Sequence, residues 1–276
     1  MHGPHFIEAN GAKIPAVGFG TWQLRAGACV RAVDAALGAG YRHIDTARMY
    51  GNEREVGEAI RASSVSREEV FVTTKVWRED IGAGALERSA EASVRDIGIG
   101  PVDLLLIHWP NAAIPLRASI GALCNARRQG LARHIGVSNF PVALLEEALG
   151  LATEPLVANQ CEYHPRLDQN AVIAACRRHG LAFVSYSPLG KGDIVNAAAV
   201  RAIADRLGRA PAQVVLRWHI QQPGVAAIPR SGSPAHIAEN FGLFDFSLSA
   251  DDMAAISALA RKDGRLVDMG WARFDS

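Results

Sequence analysis

Short apolar runs recur along the chain, and each is followed by a stretch with helical spacing. The runs are AVGFGT near 16–21, YRHIDT at 41–46, VFVTTKV at 70–76 and VDLLLIHW at 102–109, then HIGVSN at 134–139, VANQCEY at 157–163, LAFVSYS at 181–187 and VAAIPR at 225–230. They are nearly continuous rather than alternating, as expected of strands buried on both faces. Between them, CVRAVDAALGAG, REVGEAIRASS, GALERSAEASVRDIG and QNAVIAACRRHG carry helical periodicity, and several segments close on glycine, at Gly40, Gly98, Gly130 and Gly180. This rhythm predicts an α/β fold, a (β/α)8 TIM barrel running through residues 1–276 as one domain. An open doubly wound sheet would place G-x-G-x-x-G after its first strand. Gly18-Phe19-Gly20-Thr21-Trp22-Gln23 lacks the third glycine. Ahead of the first repeat, Asn10-Gly11 between two short runs predicts a β-hairpin, placed as a plug under the barrel floor. Residues 192–222 read as two helices, with Pro211 in the first turn of the second.

Composition narrows the class. The chain is 49% hydrophobic and 21% charged with a formal net charge of +1, which offers no footprint for nucleic acid or an acidic membrane surface. No apolar run approaches the ~20 residues of a membrane helix, and the start MHGPHFIEANG has neither a basic n-region nor an apolar h-region. The four cysteines, Cys29, Cys124, Cys161 and Cys176, lie far apart with no C-x-x-C spacing, the usage of a reduced cytoplasmic protein. No metal-ligand cluster is expected. Only four of the 29 basic residues are lysines: Lys13, Lys75, Lys191 and Lys262. A lysine inside an apolar strand of so arginine-rich a chain suggests that a compact, shiftable charge is required there. Lys75 is such a lysine.

The chemistry of a barrel lies at the C-terminal ends of its strands. Those ends carry Trp22, Asp45, Lys75 and Trp77, His108 and Trp109, Ser138 and Asn139, Gln160, Tyr186, and Arg230 with Ser231. A buried carboxylate and a buried ammonium are each costly alone and tolerable together, so Asp45 and Lys75 are expected to pair. Tyr50, five residues past Asp45 in HIDTARMYGNE, is placed to reach the lysine. A nearby cation lowers a phenol's pKa from its usual ~10, and an Asn52–Glu55 capping pair would put a helix N-terminus beside it, pushing the same way. The expected product is a phenol able to protonate a developing alkoxide near neutral pH. His108 is placed to hydrogen-bond the same oxygen. His43, His134, His164, His179 and His219 are read as structural. Paired carboxylates for glycoside chemistry are not expected, because only one strand clearly ends in an acid.

The stretches GFGTWQL, HIDTARMYGNE, TTKVW, DLLLIHWP, IGVSNF, NQCEYHP, SYSPLG and IPRSGSPAHIAEN resemble the aldo-keto reductase family in order, spacing and residue type over almost the whole chain. The short loops and the tail GRLVDMGWARFDS most resemble the bacterial 2,5-diketo-D-gluconate and methylglyoxal reductases. The resemblance implies a TIM barrel, with the tail over its active-site face, that binds NADPH and moves a hydride to an aldehyde or ketone. It makes Tyr50 the general acid, tuned by Lys75 and Asp45, and His108 the group orienting the carbonyl. It places Gly20, Thr21 and Trp22 at the cofactor. Ser138, Asn139 and Gln160 hold the carboxamide and Tyr186 stacks on the ring. Ser187 and Leu189 line the pyrophosphate. Arg230, Ser231 and His236 grip the 2′-phosphate, and Glu239 and Asn240 meet the adenine. Trp22, Trp77, His108 and Trp109 wall the substrate pocket.

Two positions depart from the family pattern: Arg230 stands where lysine is usual, and His236 where arginine is usual. The second exchange replaces a permanent charge with an imidazole, so a weaker preference for NADPH over NADH is expected. The short loop WPNAAIPLRAS predicts an open site for small or polar carbonyls such as keto-sugar acids, methylglyoxal and simple aldehydes. A monomer is expected. Two rival readings remain: an NADPH-binding redox-sensor barrel with little turnover, and a Schiff-base aldolase using Lys75, which would leave Tyr50 and His108 without roles.

Overall fold

The structure, a computed structural model, describes residues 5–275. A hairpin comes first, β1 (Phe6–Ala9) and β2 (Ala12–Pro15), paired antiparallel. Asn10 and Gly11 take the left-handed conformations its turn needs, with φ of 43° and 89°. The Asn10 side chain donates to the carbonyls of Leu156 (2.8 Å) and His179 (3.0 Å). Leu156 begins a barrel strand, so the hairpin sits across the N-terminal end of the barrel, as its sequence suggested.

Eight parallel strands follow, one for each of the eight apolar runs: β3 (Phe19–Gly20), β4 (His43–Asp45), β5 (Phe71–Val76), β6 (Val102–Ile107), β7 (Ala132–Ser138), β8 (Leu156–Glu162), β9 (Ala182–Tyr186) and β10 (Val225–Ala227). Each pairs with the next, from β3 to β10. The ring closes through a parallel bridge between Val17 and Ala227, supported by Gly18 N–H to the Ala227 carbonyl (2.9 Å) and Gly20 N–H to that of Pro229 (3.0 Å). This seam explains the glycines of VGFG. A Cβ on Gly18 would lie 2.7 Å from the His43 ring, and one on Gly20 3.0 Å from the Ile228 carbonyl oxygen.

Helices α1 (Ala26–Ala39), α2 (Glu53–Ala62), α3 (Ala85–Ile97), α4 (Leu116–Arg128), α5 (Val142–Leu151) and α6 (Asn170–Arg178) link β3 through β9. Both α7 (Ala198–Leu207) and α8 (Pro211–Ile220) precede β10, while α9 (Pro234–Phe241) and α10 (Ala250–Ser257) follow it. Pro211 opens α8, where its missing N–H costs nothing. Gly40, Gly98, Gly130 and Gly180 all take positive φ just past helix ends. In α2, Gly57 packs so closely on α3 that a Cβ would fall 1.8 Å from the Ile97 carbonyl oxygen. Strands β4, β5, β6 and β8 are buried at every position. They form one core with the inner faces of the helices.

No helix of the described residues is long and apolar enough to cross a membrane. After α10 the chain runs without further helix or strand to residue 275, as a strap over the C-terminal end of the barrel. There Trp271 meets Trp109 edge-on with ring centroids 5.3 Å apart, and Phe274 meets it at 6.3 Å.

Candidate active site

Four side chains meet at the ends of β4, β5 and β6. Asp45 and Lys75 point into the barrel, both almost wholly buried. Lys75 Nζ donates to Asp45 Oδ1 at 2.5 Å and to the Thr46 carbonyl at 2.9 Å. The expected pair is formed. Asp45 Oδ2 accepts from Gln160 Nε2 at 2.7 Å, a beam across the barrel from β4 to β8.

Tyr50 lies on a short 3-10 turn, Arg48–Tyr50. Its ring is 5.1 Å from Lys75 Nζ, 4.8 Å from Trp22 and 5.7 Å from His108. The lysine thus covers the ring face and spends its hydrogen bonds on Asp45 and Thr46. Tyr50 as a whole is half-buried.

The expected fall in the phenol's pKa is not what this environment produces. Burial, with the Asp45 charge second, pushes the Tyr50 hydroxyl well above the ordinary phenol value. Removing water disfavours the phenolate, and the Asp45 carboxylate adds to that effect. Tyr50 is therefore a fully protonated acid at rest. Burial also pulls the Lys75 ammonium down, while Asp45 pulls it up. Burial and then Lys75 hold the His108 imidazole well below its usual range, so the ring is neutral. His108 Nδ1 is buried without a hydrogen-bond partner, a polar group with an interaction left to give.

Asn52 stands at the start of α2, but its side chain caps nothing. It accepts from Thr46 Oγ1 (2.7 Å) and donates to the carbonyls of Thr21 (2.9 Å) and Leu24 (3.1 Å). It ties the Tyr50 turn to the loop bearing Trp22, a long-range role in place of the expected capping pair. Glu53 is also buried. It accepts from Thr74 Oγ1 (2.6 Å) and Arg48 Nη1 (3.0 Å), which anchors the turn to β5. Gly20 and Thr21, expected at the cofactor, are buried in the seam where the barrel closes. Thr21 Oγ1 donates to the Asp45 carbonyl at 3.0 Å.

A polar belt continues around the rim. Ser138 Oγ donates to the Gln160 carbonyl (2.7 Å), and Asn139 Nδ2 to the His108 carbonyl (3.0 Å). Tyr186 Oη donates to Asn139 Oδ1 at 2.9 Å. Asn139 and Ser187 both take left-handed φ, 63° and 52°, which turns the chain sharply at the ends of β7 and β9. Half-buried Leu189 follows. Exposed Arg230 donates to Gln23 Oε1 at 2.8 Å. Ser231 lies beside the N-terminus of α9, where Ser233 accepts the His236 N–H. His236 and Glu239 are exposed on α9, and Asn240 is buried. Donors that suit a planar carboxamide, a stacking phenol and an anion at a helix N-terminus therefore follow one another from β7 to α9. The idle His108 nitrogen lies beside this belt. These residues fit a nicotinamide dinucleotide.

Trp77 is half-buried with its ring edge-on to His108 at 5.2 Å. Trp109 is buried beneath the strap. Trp22, Met49, Met269 and Trp271 are the exposed large apolar residues among those described. Three of them belong to the mouth: Trp22 stacks near Tyr50, Met49 precedes it, and Trp271 packs on Trp109.

One further group at a strand end resolves differently from the sequence reading. Glu162 ends β8 as a second fully buried acid, two residues beyond the Gln160 taken as that strand's polar end. His164, read as structural, bonds to it at 3.1 Å. Burial lifts the Cys161 thiol to about 12, so it stays protonated. All four cysteines are free and buried.

Buried neutral histidines imply a pH-dependent fold. His43, His108 and His219 are all held below the ordinary 6.5, first by burial, and His219 falls to about 3. The unfolded chain takes up protons below pH 6.5 that these sites refuse, so their stabilising contribution is complete above 6.5 and lost as pH falls toward 3. Unfolding free energy measured in urea from pH 7 to 5 should decline steadily. His219→Gln should flatten the slope by up to about 1.4 kcal/mol per pH unit. An unchanged slope would mean that His219 is not buried neutral.

Fold and cluster together define a barrel oxidoreductase acting on carbonyl groups. Comparison with known proteins gives its family. Residues 16–261 match the aldo/keto reductase family, and the chain belongs to that family. It is an NAD(P)H-dependent oxidoreductase acting on small-molecule carbonyl compounds. An aldo-keto reductase of Mycolicibacterium smegmatis is 43% identical over 263 residues, covering 93% of each chain. A crystal structure provisionally described as 2,5-diketo-D-gluconic acid reductase B superposes with a TM-score of 0.96 at 43% identity, covering 99% of this chain and 98% of that one. Gox0644, crystallised as a variant in complex with NADPH, gives 0.90 at 36% identity, covering 96% of this chain and 97% of its own.

Proposed function

We propose that this chain, acting as a monomeric barrel domain, reduces aldehyde and ketone groups of small carbonyl compounds, with Tyr50 as the general acid. The observation that carries this reading is the convergence of a neutral phenol, a neutral imidazole and a buried ammonium–carboxylate pair at one end of the barrel. Ser138, Asn139 and Gln160 would hold the carboxamide. Gln160 spends Nε2 on Asp45, so it would offer Oε1. Tyr186 would lie against the ring, Ser187 and Leu189 along the pyrophosphate, and Arg230, Ser231 and His236 at the adenosine phosphate. Glu239 and Asn240 would meet the adenine.

Bound NADPH supplies the hydride. As the carbonyl carbon accepts it, charge gathers on oxygen, and Tyr50 Oη gives that oxygen its proton. The phenolate left behind is stabilised by Lys75, which Asp45 keeps charged and in place. His108, being neutral, donates a ring N–H to the same oxygen and fixes its direction. Water restores the Tyr50 proton after the alcohol leaves.

The substrates proposed are simple aldehydes, methylglyoxal and keto-sugar acids such as 2,5-diketo-D-gluconate. The apolar rim of Trp22, Met49 and Trp271 supports aldehydes with an apolar substituent. The Arg78 guanidinium, stacked 3.8 Å from the Trp271 ring, supports an acid. Steady-state NADPH oxidation against 2,5-diketogluconate, methylglyoxal and an aromatic aldehyde tests the reading. Binding of NADPH without turnover of any of them would favour the redox-sensor alternative.

Cofactor choice follows from α9. A 2′-phosphate gripped by Arg230 and an imidazole should be favoured over a hydroxyl by less than with two permanent cations. The NADPH-to-NADH ratio of kcat/KM is expected to rise about tenfold in His236→Arg, roughly one charge-assisted hydrogen bond. A ratio indifferent to that change would remove His236 from the phosphate site.

A further inference from the structure

Glu162 is a fully buried acid that the proposed reaction does not use. Its two carboxylate oxygens receive three donors. Oε1 accepts from Leu266 N–H at 2.6 Å and lies 3.1 Å from His164 Nε2, and Oε2 accepts from Val267 N–H at 2.9 Å. The two amides are consecutive and lie in the strap, 104 and 105 residues further along the chain. Just before them, Arg261 N–H donates to the Arg166 carbonyl (3.1 Å). Gly264 lies so close that a Cβ would be 1.8 Å from that same carbonyl oxygen. Just after them come Trp271 against Trp109 and Arg78, Phe274 against Trp109, and Asp275, whose carboxylate takes the Val142 N–H at 2.7 Å. A small cavity beside Asn139 and Cys161 is lined on its other side by Arg265, Arg273, Phe274 and Asp275 of the strap.

The dependence is mutual. A carboxylate wholly out of water needs charge-assisted donors, and a strap without helix or strand needs partners for its amides. On its other side, His164 lies against Gly190, and His219 sits 3.1 Å from the Pro188 carbonyl. The seat of the strap is thus built beside the 187–192 loop and next to Tyr186, which pairs in register with Glu162.

We propose that Glu162 is the positioning residue that seats the C-terminal strap, and that this seat sets substrate affinity at the mouth without touching the reacting atoms. The proposal rests on the carbonyl-reductase reading above. Glu162 takes no proton and gives none. It fixes residues 266–267, and these aim Trp271 at Trp109.

Glu162→Gln tests it. The amide retains one acceptor but turns an N–H₂ toward a strap amide, so one of the two backbone bonds is lost. KM for the carbonyl should rise about tenfold, the equivalent of ~1.4 kcal/mol. The kcat, its pH profile and the Kd for NADPH should stay near those of the parent enzyme. Trypsin, offered Arg261, Lys262, Arg265 and Arg273 in the strap, should cut it faster. Trp271→Ala, which leaves the seat intact, should raise KM without faster cleavage at Arg261 and Lys262. An unchanged KM, unchanged cleavage, or a displaced pH profile of kcat in Glu162→Gln would each overturn the proposal. Hydrogen exchange in the unmodified enzyme gives a check that needs no variant. The Leu266 and Val267 amides should be protected, and exchange at the rate of an open loop would also overturn it. Cleavage and exchange are read without turnover, so a failure of the reductase reading, seen as Tyr50→Phe retaining activity, stands apart from a failure of the seat.

Discussion

Tyr50→Phe should lower kcat by about 10²–10⁴-fold, the usual worth of a positioned general acid, while NADPH still binds. The substitution removes one oxygen and little else. The ring keeps its place against Trp22 at 4.8 Å and over Lys75 at 5.1 Å, and the turn that carries it is held by Arg48, Asn52 and Glu53, not by the hydroxyl. The loss should therefore fall on the chemical step. Turnover on the best aldehyde of the panel and a fluorescence titration with NADPH make the check. A variant retaining a tenth of parental kcat would mean that another group delivers the proton. The raised pKa of Tyr50 also predicts the form of the effect. Because the phenol is protonated throughout the neutral range, kcat should not fall between pH 6 and 8 through loss of that proton.

The second large effect concerns the pair beneath it. Lys75→Met leaves Asp45 buried without its counter-charge. Breaking a buried pair from one side costs about 3–5 kcal/mol, unless the carboxyl takes up a proton, which makes the cost smaller at low pH. Turnover should nearly vanish as well, since nothing then stabilises the Tyr50 phenolate. The double variant Asp45→Asn with Lys75→Met should separate the two consequences. A neutral amide and a thioether fill similar volume without stranding a charge, so much of the unfolding free energy should return while activity stays lost. Urea unfolding and steady-state rates on the three proteins decide this. Activity restored along with stability would make the pair purely structural.

Much of this was legible in the chain before any coordinates. The strands stood out because parallel strands covered on both faces need no polar positions. Runs such as DLLLI and VFVTT therefore announce themselves, and the residues that interrupt them at one end, Asp45, Lys75 and His108, do converge. What stayed hidden depends on distances across the sequence. Glu162 could not be told from a surface acid following a strand, because the two amides that hold it lie more than a hundred residues later in a segment with no pattern. Asn52 looked like a helix cap because local spacing permits one, yet two of its three partners, Thr21 and Leu24, come from the loop after β3. That the barrel closes beside Gly20 and Thr21 was hidden too, because the seam joins Val17 to Ala227. The direction of the Tyr50 shift was misjudged because spacing reveals a neighbouring cation but not how much water is removed.

The bond from Gln160 to Asp45 has a consequence for how such an enzyme can change. One amide reaches both the proposed cofactor belt and the base of the acid catalyst. A substitution at Gln160 that adjusts dinucleotide affinity also disturbs the field under Tyr50, and the energetic effects of changes at Gln160 and Lys75 should not add. Cofactor use and proton delivery are therefore not independent traits here. A lineage, or a designer, that exchanges one must re-optimise the other in the same step, which leaves the proposed phosphate contacts, Arg230 ahead of α9 and His236 on it, as the freer route to a new cofactor.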